Sequence, residues 1–265
     1  MRYYPQLTTG ALAQYPFVKR RRDRSIVNQA MDGSNTKLHD LNGGEIEWEL
    51  NYRGLSQSEM EGLQTFFADV EGRLESFTFA DPCDNLLAWS ESLGQAVWVR
   101  DGLLQIAAGI VDPAGTTRAT RLTNGAQTEQ TIRQAVTVNG THYYCLSLYL
   151  KSASPTPVSL TAFTDQASQS AVVSAGNQWR RVESTFTLNS NLSPVRFGIS
   201  LPAAAIVDVF GLQVEAQINA SPYKKTTVHG GVYPESRFNQ DELVVGAQGP
   251  DDYQTRVLVI TGIKG

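Results

Sequence analysis

The chain has 265 residues, 41% hydrophobic and 18% charged, with 22 basic and 26 acidic side chains that leave a formal net charge of -4. A chain of this length is one large β domain or two smaller ones. No apolar run nears the roughly 18 residues a membrane helix needs, and the balance of charge excludes a whole-domain electrostatic nucleic-acid binder. The first ten residues lack the apolar stretch of a cleavable secretion signal. The three histidines are scattered singly, which excludes a zinc module. Cys83 and Cys145 fall in segments assigned to different modules, so the fold is expected to rest on its core and not on a disulfide.

In chain order, the first sharp feature is basic: Lys19, Arg20, Arg21, Arg22 and Arg24 are five cations in six residues. Three readings suit them: a subunit interface, a solvated loop or strand edge, or a contact with nucleic acid. From Glu45 to Arg53 the chain alternates, with Ile46, Trp48, Leu50 and Tyr52 on one face and Glu45, Glu47, Glu49, Asn51 and Arg53 on the other. This period of two predicts a half-buried strand. Ser56-Gln57-Ser58-Glu59 then reads as a capping box, with Leu55 and Met60 placed as a hydrophobic staple. Met60, Leu63, Phe66, Phe67 and Val70 carry one apolar helical face as far as Gly72. A short strand is expected over Glu75 to Phe79, and the turn chemistry of Asp81-Pro82-Cys83-Asp84-Asn85 marks a boundary.

From Asn85 to about Thr227 helical periodicity disappears. Ten strands are predicted: 96–100, 103–107, 117–122, 129–138, 142–151, 157–164, 170–173, 178–188, 195–200 and 206–215. They are separated by turn signals such as Asp101-Gly102, Asn124-Gly125 and Asn139-Gly140. This pattern fits a two-sheet sandwich of jelly-roll type. Beyond a His229-Gly230-Gly231 hinge, short strands are expected at Arg237-Phe238, Leu243 to Val245 and Val257 to Ile260. These cannot hold a core alone. The fold class expected is therefore mainly β: a discontinuous β-rich adaptor domain with one α-helix (1–84 and 228–265), plus an inserted jelly-roll β-sandwich (85–227).

No G-x-S-x-G, H-E-x-x-H, P-loop or G-x-G-x-x-G motif is present, which argues against an enzyme. Two resemblances point elsewhere. The run Asn85-Leu86-Leu87-Ala88-Trp89-Ser90-Glu91, then Gln178-Trp179-Arg180-Arg181, then Phe210-Gly211-Leu212-Gln213-Val214-Glu215 before Ser221-Pro222-Tyr223, resembles the carbohydrate-binding-module-like jelly rolls of phage tail proteins. Tyr4-Pro5, Glu47-Trp48-Glu49-Leu50, Phe66-Phe67 and Ser76-Phe77-Thr78-Phe79-Ala80-Asp81-Pro82 resemble the tail-tip proteins of long-tailed phages. Together they resemble a distal tail protein that carries an inserted carbohydrate-binding module.

The resemblance implies a virion structural protein of the tail tip or baseplate, made in the host cytoplasm without a signal peptide. It would form a homo-oligomeric ring, commonly a hexamer, against tail-tube and other tail-tip proteins. Its sandwich would serve host adhesion through surface polysaccharide, or act as a spacer. In such a ring, Lys19 to Arg24 would meet the Glu45, Glu47 and Glu49 face of a neighbouring subunit or tube protein. Alternatives are an accessory carbohydrate-binding protein of a secreted polysaccharide-active system, or a capsid decoration protein. Trp98 and Trp179 are expected to be buried framework residues, which leaves Tyr143 and Tyr149 as the sugar platform. No cofactor is required. Modules of this class often carry a structural calcium, for which Asp84, Glu91 and Glu215 are the expected ligands.

Overall fold

The computed structural model describes residues 1–40 and 43–263. It is mainly β, with a single helix among the described residues, and no helix in it is long and apolar enough to cross a membrane. The chain divides into two compact units, one of residues 1–8, 12–79 and 233–265, the other of residues 9–11 and 80–232.

In the first unit β1 (Val18–Arg22), β4 (Gly44–Leu55), β18 (Asp252–Ile263), β16 (Val232–Phe238) and β5 (Phe77–Ala80) lie side by side in that order, with β17 (Val245–Gly249) paired to β18. The alternation in β4 does what its period requires: Ile46, Trp48, Leu50 and Tyr52 are buried on one face. Helix α1 (Gln57–Asp69) starts at the predicted cap, where Ser56 Oγ accepts from the Glu59 amide and the Glu59 carboxylate accepts from the Ser56 amide. The staple residues Leu55 and Met60 are both buried. The core is aromatic. Tyr4 lies edge-on to Phe66 and Phe79, and Phe77 and Phe238 pack with ring centroids 5.0 Å apart. Such ring pairs add about 0.5–1.5 kcal/mol each beyond the area they bury.

One part of this unit carries no core. Strands β2 (Ser25–Gln29) and β3 (Asn35–His39) form a two-stranded antiparallel arm between β1 and β4, and all ten of their residues are exposed.

The second unit is a sandwich of two five-stranded antiparallel sheets. Sheet A has the order β13 (Arg180–Phe186), β10 (Tyr144–Lys151), β15 (Ile206–Glu215), β8 (Ala119–Asn124), β7 (Leu104–Ile110). Sheet B has the order β12 (Ser168–Ala175), β11 (Thr156–Phe163), β14 (Val195–Leu201), β9 (Gln130–Val136), β6 (Trp98–Arg100). Because the chain crosses from A to B and back through β8, β9, β10 and β11, and again through β12 to β15, the topology is a jelly roll. The core is filled by Leu146, Leu148, Leu150, Val207 and Val209 of A, and by Val158, Leu160, Phe197, Ile199 and Ile132 of B.

Buried Asn85 ties the two ends of this unit together. Its amide nitrogen donates to the carbonyls of Leu212 and Lys224, and its oxygen accepts from the amides of Leu87 and Val214. The glycines expected as a hinge are packed against this segment: a Cβ on Gly230 would lie 2.1 Å from the Leu86 carbonyl oxygen, and the Gly231 amide donates to Asn85 O. Close backbone approach explains their sequence better than flexibility does.

Candidate functional site

The outward face of sheet B is an open groove built from three cross-strand rows. Pairing register places Ser168, Phe163, Arg196 and Ala135 in the first row. Ser170, Thr161, Gly198, Arg133 and Val99 form the second, and Val172, Ser159, Ser200 and Thr131 the third. Alternation along each strand sends the apolar neighbours of these residues into the core and leaves hydroxyls, one ring and two guanidinia outside.

A cavity of about 240 Å³ lies over this face, lined by Thr131, Arg133, Thr161, Phe163, Ser170 and Ser200 together with Ser168 and Gln169. Gly198 lies in the middle of the second row, between Thr161 and Arg133. A Cβ there would stand 2.2 Å from Ile132 O and 2.9 Å from Arg133 Cα, so no side chain can fill the middle of the row.

The polar groups of the groove are partly engaged. Thr131 Oγ1 and Ser200 Oγ share a hydrogen bond of 2.8 Å. Arg133 Nη1 donates to Asp101 Oδ1 at 2.9 Å, while Asp101 Oδ2 accepts from the Thr131 amide. Burial works against the Asp101 charge, but these hydrogen bonds outweigh it and hold its carboxyl below the ordinary range. Arg196 stands over the Phe163 ring, 5.8 Å from its centroid, and donates to Asp165 at 2.7 Å. Thr161 Oγ1 is buried and has no hydrogen-bond partner. An unpaired buried hydroxyl costs about 1–3 kcal/mol, so the sheet carries this atom at a loss.

The outward face of sheet A is closed by the segment that follows β15. Cys145, Ser147, Gln213 and Glu215 point outward and are nonetheless buried. The Glu215 carboxylate accepts from the Ser221 amide and hydroxyl, Gln213 Nε2 and Lys224 Nζ. Burial pushes the Cys145 thiol up to about 12 and keeps it inert.

The residues singled out from sequence fall outside the groove. Tyr143 is exposed just before β10, and a side chain on Gly10 would touch it and Ile218. Tyr149 is half-buried, with the Arg181 guanidinium 5.8 Å from its ring centroid and Phe210 6.0 Å away. Six residues apart on one extended segment, the two tyrosines are separated by about 20 Å, so they do not form a shared platform.

Asp84, Glu91 and Glu215 are likewise not brought together. Glu91 pairs with Arg118 and Lys225, Glu215 pairs with Lys224, and Asp84 accepts from the Asn85 amide. Among the described residues no group of three or more His, Cys, Asp or Glu side chains is arranged to hold a metal. Trp98 is buried and donates from Nε1 to Trp89 O, whereas Trp179 is only half-buried.

The basic run also finds partners within its own chain. Strand β1 pairs with β4 so that Arg20 faces Glu47 and Arg22 faces Glu45. Arg20 bridges to Glu49 at 2.8 Å and to Glu47 at 3.4 Å, and Arg22 bridges to Glu47 at 3.2 Å. Arg256 adds a second cation to Glu49, and Asn239 donates to Glu47. The acidic face expected from a neighbouring subunit is thus supplied in cis to these two arginines. Lys19 instead lies over the Trp48 ring, and Arg21 and Arg24 pair with Asp23 and Asp40.

No protein-family model matches the chain, and no curated protein matches it. Among solved structures the chain is similar to the CBM22-1 xylan-binding domain of Paenibacillus barcinonensis Xyn10C, at 15% identity over 54% of this chain and 97% of that one, with a TM-score of 0.42. It is also similar to TmCBM61 in complex with β-1,4-galactotriose, at 11% identity over 49% of this chain and 97% of that one, with a TM-score of 0.37. A third is the enzymatically active domain of tailspike protein 4 from bacteriophage CBA120. There the identity is 10%, 52% of this chain is covered, and the TM-score is 0.40, but only 22% of the tailspike domain's length is matched.

Proposed function

We propose that this chain is a non-catalytic structural protein of a phage-type tail tip, in which the first unit assembles into a ring, a hexamer as in the family its sequence resembles, and the jelly roll binds surface polysaccharide. The observation that carries the binding half is the groove of sheet B, where an aromatic ring, a row of hydroxyls and the unpaired Thr161 Oγ1 converge on a glycine floor. Its lining holds no carboxylate, whereas glycoside hydrolysis in its usual form needs two. Binding without turnover fits such a surface. Weak single sites gain force when several copies are held together, since the second and later contacts form at high effective concentration.

The assembly half is supported by the β2–β3 arm. An isolated two-stranded hairpin is marginal in water, and this one exposes Ile26, Val27, Leu38 and Met31. Seating it against another copy would bury those side chains and supply the missing packing. The solution mass of the intact chain, set beside a variant with residues 25–39 replaced by a two-residue turn, tests this half. A ring formed by the first and lost in the second is expected, and a monomer at every concentration counts against it. For the binding half, affinity electrophoresis through neutral and acidic polysaccharides should show retardation that Phe163→Ala removes. Equal mobility of the two proteins in every gel overturns it. An accessory binding protein of a polysaccharide-degrading system would share the groove and would have no need of the exposed arm.

A further inference from the structure

We propose, resting on the glycan-binding reading, that the sheet B groove selects a carboxylate-bearing polysaccharide, a uronic-acid type of polymer, and that Arg133 grips the carboxylate. The cavity lining carries one full charge, that of Arg133, and it is positive. Arg133 spends Nη1 on Asp101, and among the described residues its Nε and Nη2 have no protein partner. A guanidinium held on one side by a carboxylate presents its remaining edge as a fixed planar fork. The acceptor that matches two parallel N–H donors is another carboxylate.

Register places the other elements around that edge. Gly198 sits opposite Arg133 in the pairing of β14 with β9, and Thr161 sits opposite Gly198 in the pairing of β11 with β14. Thr161 and Arg133 are therefore two strand spacings apart, about 9–10 Å, with only backbone between them. A sugar ring lying on that floor can set its carboxylate against Arg133 and can meet Thr161 Oγ1 once a rotamer change turns that buried hydroxyl toward the groove. Arg196 is the diagonal neighbour of Arg133 across the same strand pair, a relation that spans about 7–8 Å. Its Nη1 goes to Asp165, an exposed residue outside the cavity lining, and its position over Phe163 leaves the opposite ring face for stacking. Two cations at this spacing suit a polymer whose charge recurs along the chain. A neutral glycan would use Phe163 and the hydroxyls and leave the Arg133 fork unmatched.

The test uses the intact chain and four acidic polymers (polygalacturonate, alginate, hyaluronate and polysialate), each beside its carboxyl-reduced form, by affinity electrophoresis at low and high salt. The expected result is retention by at least one native polymer, weakened about tenfold or more by carboxyl reduction, as loss of a charge-assisted bidentate pair requires, and weakened again by salt. Arg133→Gln should lose the same factor on the native polymer and nothing on the reduced one, with Arg133→Lys in between and the thermal midpoints falling by no more than loss of the part-exposed Asp101 pair accounts for. Arg53→Gln, which removes an exposed cation of the other unit, controls for non-specific attraction and should have no effect.

Equal affinity for native and reduced polymer, unaltered binding by Arg133→Gln, or an equal loss in Arg53→Gln overturns the proposal. Retention by none of the four polymers overturns it as well. If neutral polymers are then retained and Phe163→Ala abolishes this, the groove remains a glycan site and only its charge selectivity falls.

Discussion

The two sheets of the sandwich obey the same alternation yet differ in what covers their outward polar residues, although each keeps one buried polar atom unpaired, Arg181 Nε on A and Thr161 Oγ1 on B. On sheet A, Gln213 and Glu215 are covered by the chain that follows β15, and every hydrogen bond the Glu215 carboxylate accepts comes from a neighbour no more than nine residues away in sequence. On sheet B the corresponding surface is bare, its guanidinia are half-used, and Thr161 Oγ1 is left without a partner. Polar groups that satisfy one another stabilise a fold. Polar groups left waiting on an open face, at a cost to that fold, are the ones to suspect of binding.

The largest effect should come from breaking the closed face. Glu215→Ala removes a buried carboxylate that Lys224, Ser221 and Gln213 all address, and it should cost about 3 kcal/mol because those donors are then left unpaired. Urea unfolding followed by fluorescence would register this as a lower midpoint. Gly198→Ala should follow, at about 2 kcal/mol, since the new methyl would overlap the Ile132 carbonyl and push β14 from β9. Affinity should fall with stability in this variant, because the groove floor is the backbone that moves. Glu215→Ala that still folds should bind glycan normally. If it does not, the two faces are coupled and the contrast between them fails.

A third effect is graded by pH. Burial depresses His142 to about 4, below the value of about 6.5 it has in the unfolded chain. The unfolded state therefore binds the proton first, and the contribution of neutral His142, complete above about pH 6.5, is lost as pH falls toward 4. Asp112 continues the trend at lower pH. Burial raises its carboxyl, but the Thr116 hydroxyl and amide, Arg118 and the Ala114 amide together hold it down at about 2. Its contribution is full above about pH 4 and disappears as pH drops toward 2. His142→Phe should flatten the upper part of the acid limb in a thermal-melt series and Asp112→Asn the lower part. A limb unchanged by either substitution would show that other groups set it.

Much of the fold was legible because the sandwich strands alternate and are punctuated. The strand expected at 206–215 is β15 residue for residue, and the Ser56 cap is where the capping box puts it. The arm was not legible, since residues exposed on both faces leave no hydrophobic period to read. Arg20 and Arg22 looked like part of a loose charge run because their acidic partners, Glu47 and Glu49, lie more than twenty residues on and meet them only through pairing. The groove was hidden for the same reason. Thr161, Gly198 and Arg133 come from three strands, and only lateral register joins them. One signal was present: an isolated glycine in the middle of an apolar strand marks close backbone approach or a ligand-facing floor, whereas aromatic content drew attention to Tyr143 and Tyr149.

The smallest expected effect is the most discriminating. Thr161→Val keeps the branched shape that β11 prefers and deletes a hydroxyl that bonds to nothing in the protein. A buried donor with a good partner would cost stability when removed. An unpartnered one should cost nothing, or return up to about 1 kcal/mol. Glycan affinity should fall nonetheless, by a factor of a few, if the hydroxyl meets its partner only when the groove is filled. Urea midpoints and affinity electrophoresis on the same two proteins would separate the cases. Stability held and affinity lost would place the function of sheet B at that atom. Stability lost and affinity held would mean that Thr161 Oγ1 is satisfied within the fold, and the open face would then differ from the closed one only in what covers it.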